Sequence, residues 1–460
     1  MRYISTRGGA PAASFADMLL GALAPGGGLY LPETWPRPDA AAIAGFTDTS
    51  YAEAAFAILR HFAADLSNEA LLSQDIRAAC AAFDRPEVAP LVELEHGLYL
   101  LELFHGPTLA FKDIALQLLA RLMARELERR GALARILVAT SGDTGSAAIA
   151  AFGGLPRFEV FVLHPKGRVS EVQRRQMTTA PHANVHNIAI EGTFDDAQAL
   201  VKALFADREY TEAMRLTAVN SINFVRIAAQ SVYYFTSTAR VGRPAMFIVP
   251  TGNFGDVFAG EAAQRMGLPI GGLMLATNAN DILVRALDDG IYSVREARAT
   301  LSPSMDIQIA SNFERALFEA SGRDAVWLSG AMETFARERR LVIPFPVLEA
   351  LRARYRAESI SDAETGETIA DAHRRYGRFI DPHTAVALAA ARRAGGGTPR
   401  IVLATAHSAK FPETVARATG VVPPLPPRLR QSYVERERLS FLPNDARHLR
   451  AFIETRSAPP

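Results

Sequence analysis

The stretch ARILVATSGDTGSAAIAAF (residues 134–152) decides the fold. It opens on an aliphatic run typical of a strand buried on both faces, turns at Ser141-Gly142-Asp143-Thr144-Gly145, and continues at once as a small-residue helix. The same construction recurs in AMFIVPTGNFGDVFAGEAAQRMG (245–267) and RIVLATAHSAKFPETVARAT (400–419). FEVFVLH (158–164), VHNIAI (185–190) and LMLAT (273–277) add further candidate strands. Strand, turn and helix in this order predict an α/β fold around mainly parallel sheets. Ligands of such sheets bind beyond the carboxyl ends of the strands, so the three turns are expected to converge.

Outward from these segments the chain changes character. Residues 1–90 combine helical periods, as in AAIAGFTDTSYAEAAFAILRHFAADL (41–66), with the Pro/Gly-rich APGGGLYLPETWPRPDA (24–40), and read as a small, mainly helical N-terminal domain. Residues 91–425 read as the α/β region of two subdomains, with a mostly helical stretch at about 311–396. GGG (395–397) and VVPPLPPRLR (421–430) read as short linkers, and 426–460 as a polar surface tail.

Composition narrows the function. The chain has 460 residues, 49% hydrophobic and 22% charged, which is globular rather than disordered. A net charge of +1 offers no global attraction for nucleic acid or an anionic membrane, and neither partner is expected. No run of about 18 uncharged apolar residues and no leader-like N-terminus is present. Cys80 is the single cysteine, so no internal disulfide forms, which fits a reducing, cytoplasmic setting.

Lysine occurs only at Lys112, Lys166, Lys202 and Lys410, and arginine supplies the other basic residues. Because arginine forms no imine, a retained lysine is a candidate for chemistry that needs a primary amine. Lys112 lies in LELFHGPTLAFKDIALQLLARLM (101–123), between a Gly-Pro-Thr turn and a helical period. The positive end of a helix dipole disfavours a cation there and favours the neutral amine that attacks an aldehyde. The alternative is a helix-start lysine paired with Asp113.

Thr251-Gly252-Asn253-Phe254-Gly255-Asp256 is an anion cradle by the same logic, since its glycines admit backbone N–H groups close to a ligand at a helix start. The alternative is a tight turn with Asp256 as a first-turn acid. Ser141 to Gly145 could likewise bind a carboxylate or phosphate, although Asp143 would repel an anion unless turned away. The third turn contributes Thr405, His407 and Lys410. His182 and His186 stand four apart beside Pro181 without a nearby acid or cysteine, and no metal site is expected. The chain has no Walker loop, no G-x-G-x-x-G at a strand-to-helix turn, no H-E-x-x-H and no G-x-S-x-G.

HGPTLAFKD (105–113), ATSGDTGSAA (139–148), NSINFVRIAAQ (220–230), TGNFGD (251–256) and ATAHSAKF (404–411) resemble, in order and spacing, the motifs of the threonine synthase family. STRGGAPAASFADMLLGALAPGGGLYLPE (5–33) resembles that family's opening segment. The resemblance implies the tryptophan-synthase-β-like pyridoxal-phosphate fold (fold type II) and conversion of O-phospho-L-homoserine and water to L-threonine and phosphate. It implies that Lys112 holds pyridoxal 5'-phosphate as an imine and, once released, moves protons at the substrate carbons. Gly252, Asn253, Phe254, Gly255 and Asp256 would surround the cofactor phosphate, and Thr405 would face the pyridine nitrogen. Ser141, Gly142, Asp143, Thr144 and Gly145 would hold the substrate carboxylate, with Ser221, Arg226 and Lys410 as candidates for the leaving phosphate. Ser408 stands where the family more often has proline, and Asp143 where related enzymes of the fold often have asparagine. A phospholyase or dehydratase releasing 2-oxobutyrate, and a non-catalytic phospho-amino-acid binder, are the competing readings. A monomer or small homo-oligomer is expected.

Overall fold

The computed structural model describes residues 1–21, 23–65 and 68–457. Leu66, at the end of the expected N-terminal helical stretch, Ala22 in the opening segment and the last three residues of the expected tail lie outside them. Two compact units form, one from Met1–His105 and Ser221–Pro423, the other from Gly106–Asn220 and Pro424–Pro460.

The first unit is built on a six-stranded sheet in the order Tyr355–Ser359, Gly272–Thr277, Met246–Pro250, Arg400–Ala404, Leu98–Glu102, Leu91–Glu95. All neighbours are parallel except the last pair. The apolar runs FIVP and IVLA fall in the middle of this sheet, where both faces need cover, which is why they show no polar alternation. The helix Pro382–Arg393 covers one face, burying Ala385, Val386 and Leu388 against Leu98, Ile248 and Val402.

The N-terminal residues lie in this first unit. Their helices include Phe15–Gly21, Tyr51–Phe62 and Glu69–Cys80, of which the first two pack on the long, almost wholly buried helix Phe224–Val241. Tyr3, fully buried, packs on Phe15 and Phe224 and donates its hydroxyl to Phe62 O at 2.7 Å. Arg7 clamps Glu314 through Nε and Nη2 at 3.0 and 2.7 Å.

The second unit carries five parallel strands in the order Ser440–Leu442, Val185–Ile190, Phe158–Pro165, Ala134–Ala139, Leu216–Thr217. The segment expected as a surface tail is part of this body. Ser440–Leu442 pairs with Val185–Ile190, and Leu449 and Ile453 of the helix Ala446–Arg456 are buried among Leu137, Phe161, Ile188 and Leu204. Its polar composition reflects an edge strand and a helix that commit only one stripe to the core.

Candidate active site

Lys112 is the first residue of the helix Lys112–Arg130. The turn before it is closed by Asp113, whose buried carboxylate accepts from Thr108 N and Thr108 Oγ1 at 2.8 and 2.7 Å. A Cβ on Gly106 would stand 2.5 Å from that of Asp113, so the turn admits glycine there. Asp143, from the next helix, faces the lysine. Lys112 Nζ lies 3.6 Å from Asp143 Oδ2 and 4.9 Å from the centre of the Phe111 ring, with the lysine side chain 12% exposed.

Asp143 opens the helix Asp143–Phe152 directly after the strand Ala134–Ala139. Thr140 organises the turn, its Oγ1 accepting from the N–H groups of Gly142 and Gly145 at 2.9 Å each. Those two amides are therefore already used, and both glycines serve as framework. Gly142 adopts φ 143°, and a Cβ on it would stand 2.5 Å from Gln173 Cδ. A Cβ on Gly145 would meet Thr140, Met177 and Val162 within 2.8 Å, so glycine lets the helix pack on the sheet. Ser141 and Thr144 stay half-buried. Gln173 Nε2 donates to Asp143 Oδ1 at 2.8 Å, fixing the carboxylate whose other oxygen faces Lys112.

In the first unit, Met246–Pro250 and Arg400–Ala404 are parallel neighbours, so the loop 251–256 and the turn 405–410 leave the same end of the sheet. The loop keeps Asn253 exposed and Gly252 and Gly255 partly so. Phe254, at φ 62°, sends its fully buried ring between Phe313 and Tyr355 and can offer a ligand only backbone. The loop is held from beneath by Asn312, which no motif flagged. Its N and Nδ2 both donate to Asn253 O at 3.1 Å, its Nδ2 to Ser221 O at 3.2 Å, and its Oδ1 accepts from Arg315.

Two expected ligands point elsewhere. Asp256 turns its carboxylate into the interior, where Oδ1 accepts from Tyr233 and Tyr234 on the helix Phe224–Val241, and burial pushes its pKa up to about 6. Arg226 lies on the same buried side, 4% exposed and lowered to about 10 by burial, within electrostatic reach of Tyr233 and Asp256. The tyrosine hydroxyls hold the Asp256 carboxylate inward. Ser221 stays at the loop, its Oγ 3.4 Å from Ser311 Oγ. Thr405 ends its strand 6% exposed, and Lys410 is fully buried. His407 accepts from Ala409 N through Nδ1 at 3.1 Å; burial first, and His105 second, bring it down to about 4. Glu102 takes His105 Nε2 at 2.8 Å and pairs with Arg378 at 3.0 Å, a cluster that the sequence did not announce.

A primary amine starting one helix, a glycine turn starting another and a hydroxyl ending a strand go with one class of enzyme. The family model described as "Pyridoxal-phosphate dependent enzyme" matches residues 85–406, and the chain is a pyridoxal-phosphate-dependent enzyme. The models "Threonine synthase N terminus" and "Threonine synthase, C-terminal" match residues 2–80 and 384–453. The chain is 47% identical over 459 residues to the threonine synthase of Pseudomonas aeruginosa, covering 98% of both proteins. The pyridoxal-phosphate-bound threonine synthase of Brucella melitensis matches with a TM-score of 0.97 and 48% identity over 99% of both chains. The yeast threonine synthase structure matches with 0.94 and 36% identity, covering 99% of this chain and 98% of that one. The chain belongs to the threonine synthase family.

Proposed function

We propose that this chain converts O-phospho-L-homoserine and water to L-threonine and phosphate, using pyridoxal 5'-phosphate. The observation that carries the reading is Lys112, a primary amine at a helix start within a motif ordered as in the family. Each unit carries residues whose chemistry suits the cofactor. Lys112 Nζ would bond its aldehyde carbon. The exposed tip of the loop 251–256, opening the helix Gly255–Arg265, offers N–H groups and dipole to its phosphate. A Cβ on Gly252 would come within 3.0 Å of Ile307 Cδ1, so glycine suits that position. Thr405 supplies a neutral hydroxyl for the ring nitrogen, which does not enforce ring protonation.

When bound, the cofactor withdraws electrons from the substrate's α-carbon, making Cα–H and then Cβ–H acidic. Lys112, once displaced by the substrate's own amine, would accept the Cα proton at Nζ and, after releasing it to solvent, the Cβ proton, and would return protons at Cγ and finally at Cα. The turn 141–145 holds the substrate carboxylate through first-turn N–H groups and the hydroxyls of Ser141 and Thr144. Ser221 and Lys410 remain the candidates for the γ-phosphate; the inward-facing Arg226 acts from behind, by charge. Water adds at Cβ after the γ-phosphate leaves, so the retained oxygen count matches threonine plus phosphate. We assign the enzyme to the cytoplasm, supported by Cys80 as its single thiol, and to a monomer or small homo-oligomer. No helix among the described residues is long and apolar enough to cross a membrane.

The test is NMR of the products formed from O-phospho-L-homoserine in deuterated water. Threonine carrying deuterium at Cα and Cγ, with stoichiometric phosphate, is expected. Formation of 2-oxobutyrate alone would transfer the chain to the lyase reading.

A further inference from the structure

The turn that should receive the substrate's carboxylate contains a carboxylate of its own, and its surroundings say what that group is for. Asp143 is 5% exposed, one oxygen fixed by Gln173 Nε2 at 2.8 Å and the other 3.6 Å from Lys112 Nζ. Gln173 is itself held, its Oε1 accepting from Ser170 Oγ at 3.0 Å at the start of the helix Glu171–Thr178. Gly142 is glycine where a Cβ would strike Gln173, so the backbone makes room for this clamp. An anion binder would need the carboxylate out of the way. Here it is locked in place and aimed at the amine.

We propose that Asp143, oriented by Gln173, is the positioning residue for Lys112. It holds Nζ beside the turn and stabilises its charged form, so that after the Cβ proton is taken the lysine stands as the ammonium that protonates Cγ. The inference rests on the threonine synthase reading and assigns within it a residue that the carboxylate-binding role left unexplained. Asp143 opposes the helix dipole at Lys112, which acts to discharge the amine. Of the other charges nearby, Asp113 also accepts from Thr108, Glu171 pairs with Arg175 at 3.1 Å, and Arg174 pairs with Glu437.

The test reads the protonation of Lys112 itself. The full-length chain, freed of cofactor, is incubated with pyridoxal over a range of pH, reduced with borohydride, and the Lys112 peptide quantified by mass spectrometry. An opposite charge this close raises an amine's pKa by about 1–3 units. Asp143→Asn is therefore expected to move the labelling midpoint down by at least about one unit, a roughly tenfold gain in labelling below the wild-type midpoint. Gln173→Leu keeps the charge but frees it, and is expected to give a smaller shift in the same direction. Both variants are checked for native melting temperature. Should Asp143→Asn fail to fold, Gln173→Leu decides alone. A midpoint unmoved in a folded variant overturns the proposal. Wild-type product analysis separates the two levels: absence of threonine with a shifted midpoint refutes the reaction and leaves the pair standing, and the converse refutes the pair alone.

Discussion

Replacing Asn312 by alanine should loosen the cofactor loop and the body beneath it together. Asn312 is fully buried and joins three segments, through Asn253 O, Ser221 O and the guanidinium of Arg315. In the variant Asn253 O keeps the backbone N–H of residue 312 as donor at 3.1 Å. Ser221 O loses the bond from Nδ2, and Arg315 loses an acceptor, keeping Tyr30 O at 3.1 Å and Ile222 O at 2.6 Å. Losing these two bonds, at about 1–3 kcal/mol each, should cost about 2–6 kcal/mol. If about 1.4 kcal/mol of this falls on the loop, affinity for pyridoxal phosphate drops tenfold. Urea unfolding and a fluorescence titration with the cofactor measure the two parts. Asn312→Asp retains an acceptor beside Arg315 and should lose less stability than alanine. An alanine variant within 1 kcal/mol of the parent and with unchanged cofactor affinity would refute the hub role.

Lys112→Ala and Lys112→Arg should both abolish threonine formation and leave no borohydride-fixed cofactor on the protein, since neither side chain forms an imine; turnover in either removes Lys112 from the mechanism. His407, held near 4 against about 6.5 in the unfolded chain, contributes stability that is complete above pH 6.5 and lost as pH falls towards 4, about 3 kcal/mol in all. His407→Asn should flatten that part of the pH–stability curve, which chemical denaturation at stepped pH reads directly. Asp256→Asn should stabilise the protein more at pH 8 than at pH 4, because the buried carboxyl has a raised pKa of about 6 and its charge costs most above that value; equal effects at both pH values would contradict the inward burial of its charge. Gly145→Ala places a methyl within 2.5 Å of Thr140 Cγ2 and should cost about 1–3 kcal/mol, visible as a lower melting temperature.

The central strands were legible because burial on both faces leaves a local trace. VHNIAI coincides with Val185–Ile190, and ARILVA with Ala134–Ala139. The edge strands left none: YRAES (Tyr355–Ser359) is polar and SFL (Ser440–Leu442) is too short to show a period, and each is fixed by a partner far away in the chain. At the site, Lys112 and the glycine turns were readable from local chemistry, helix start and backbone room. The roles of Asp113, Asp256 and Arg226 were not, because a carboxylate or guanidinium can turn to either side of a helix and the choice depends on Thr108, Tyr233 and Tyr234. Thr140 left a weak signal, a hydroxyl just ahead of the turn whose amides it takes. Gln173 and Asn312 left none, since each acts through tertiary contact alone.

The edge strand Ser440–Leu442 has a consequence for biosynthesis. Residues 106–220 emerge from the ribosome with one side of Val185–Ile190 still bare, and its partner follows only after roughly two hundred further residues have been made. At roughly 5–20 residues per second the nascent sheet waits on the order of ten to forty seconds with an open hydrogen-bonding edge. During that interval it is a template for pairing with other chains, and the last turns of translation are what close it.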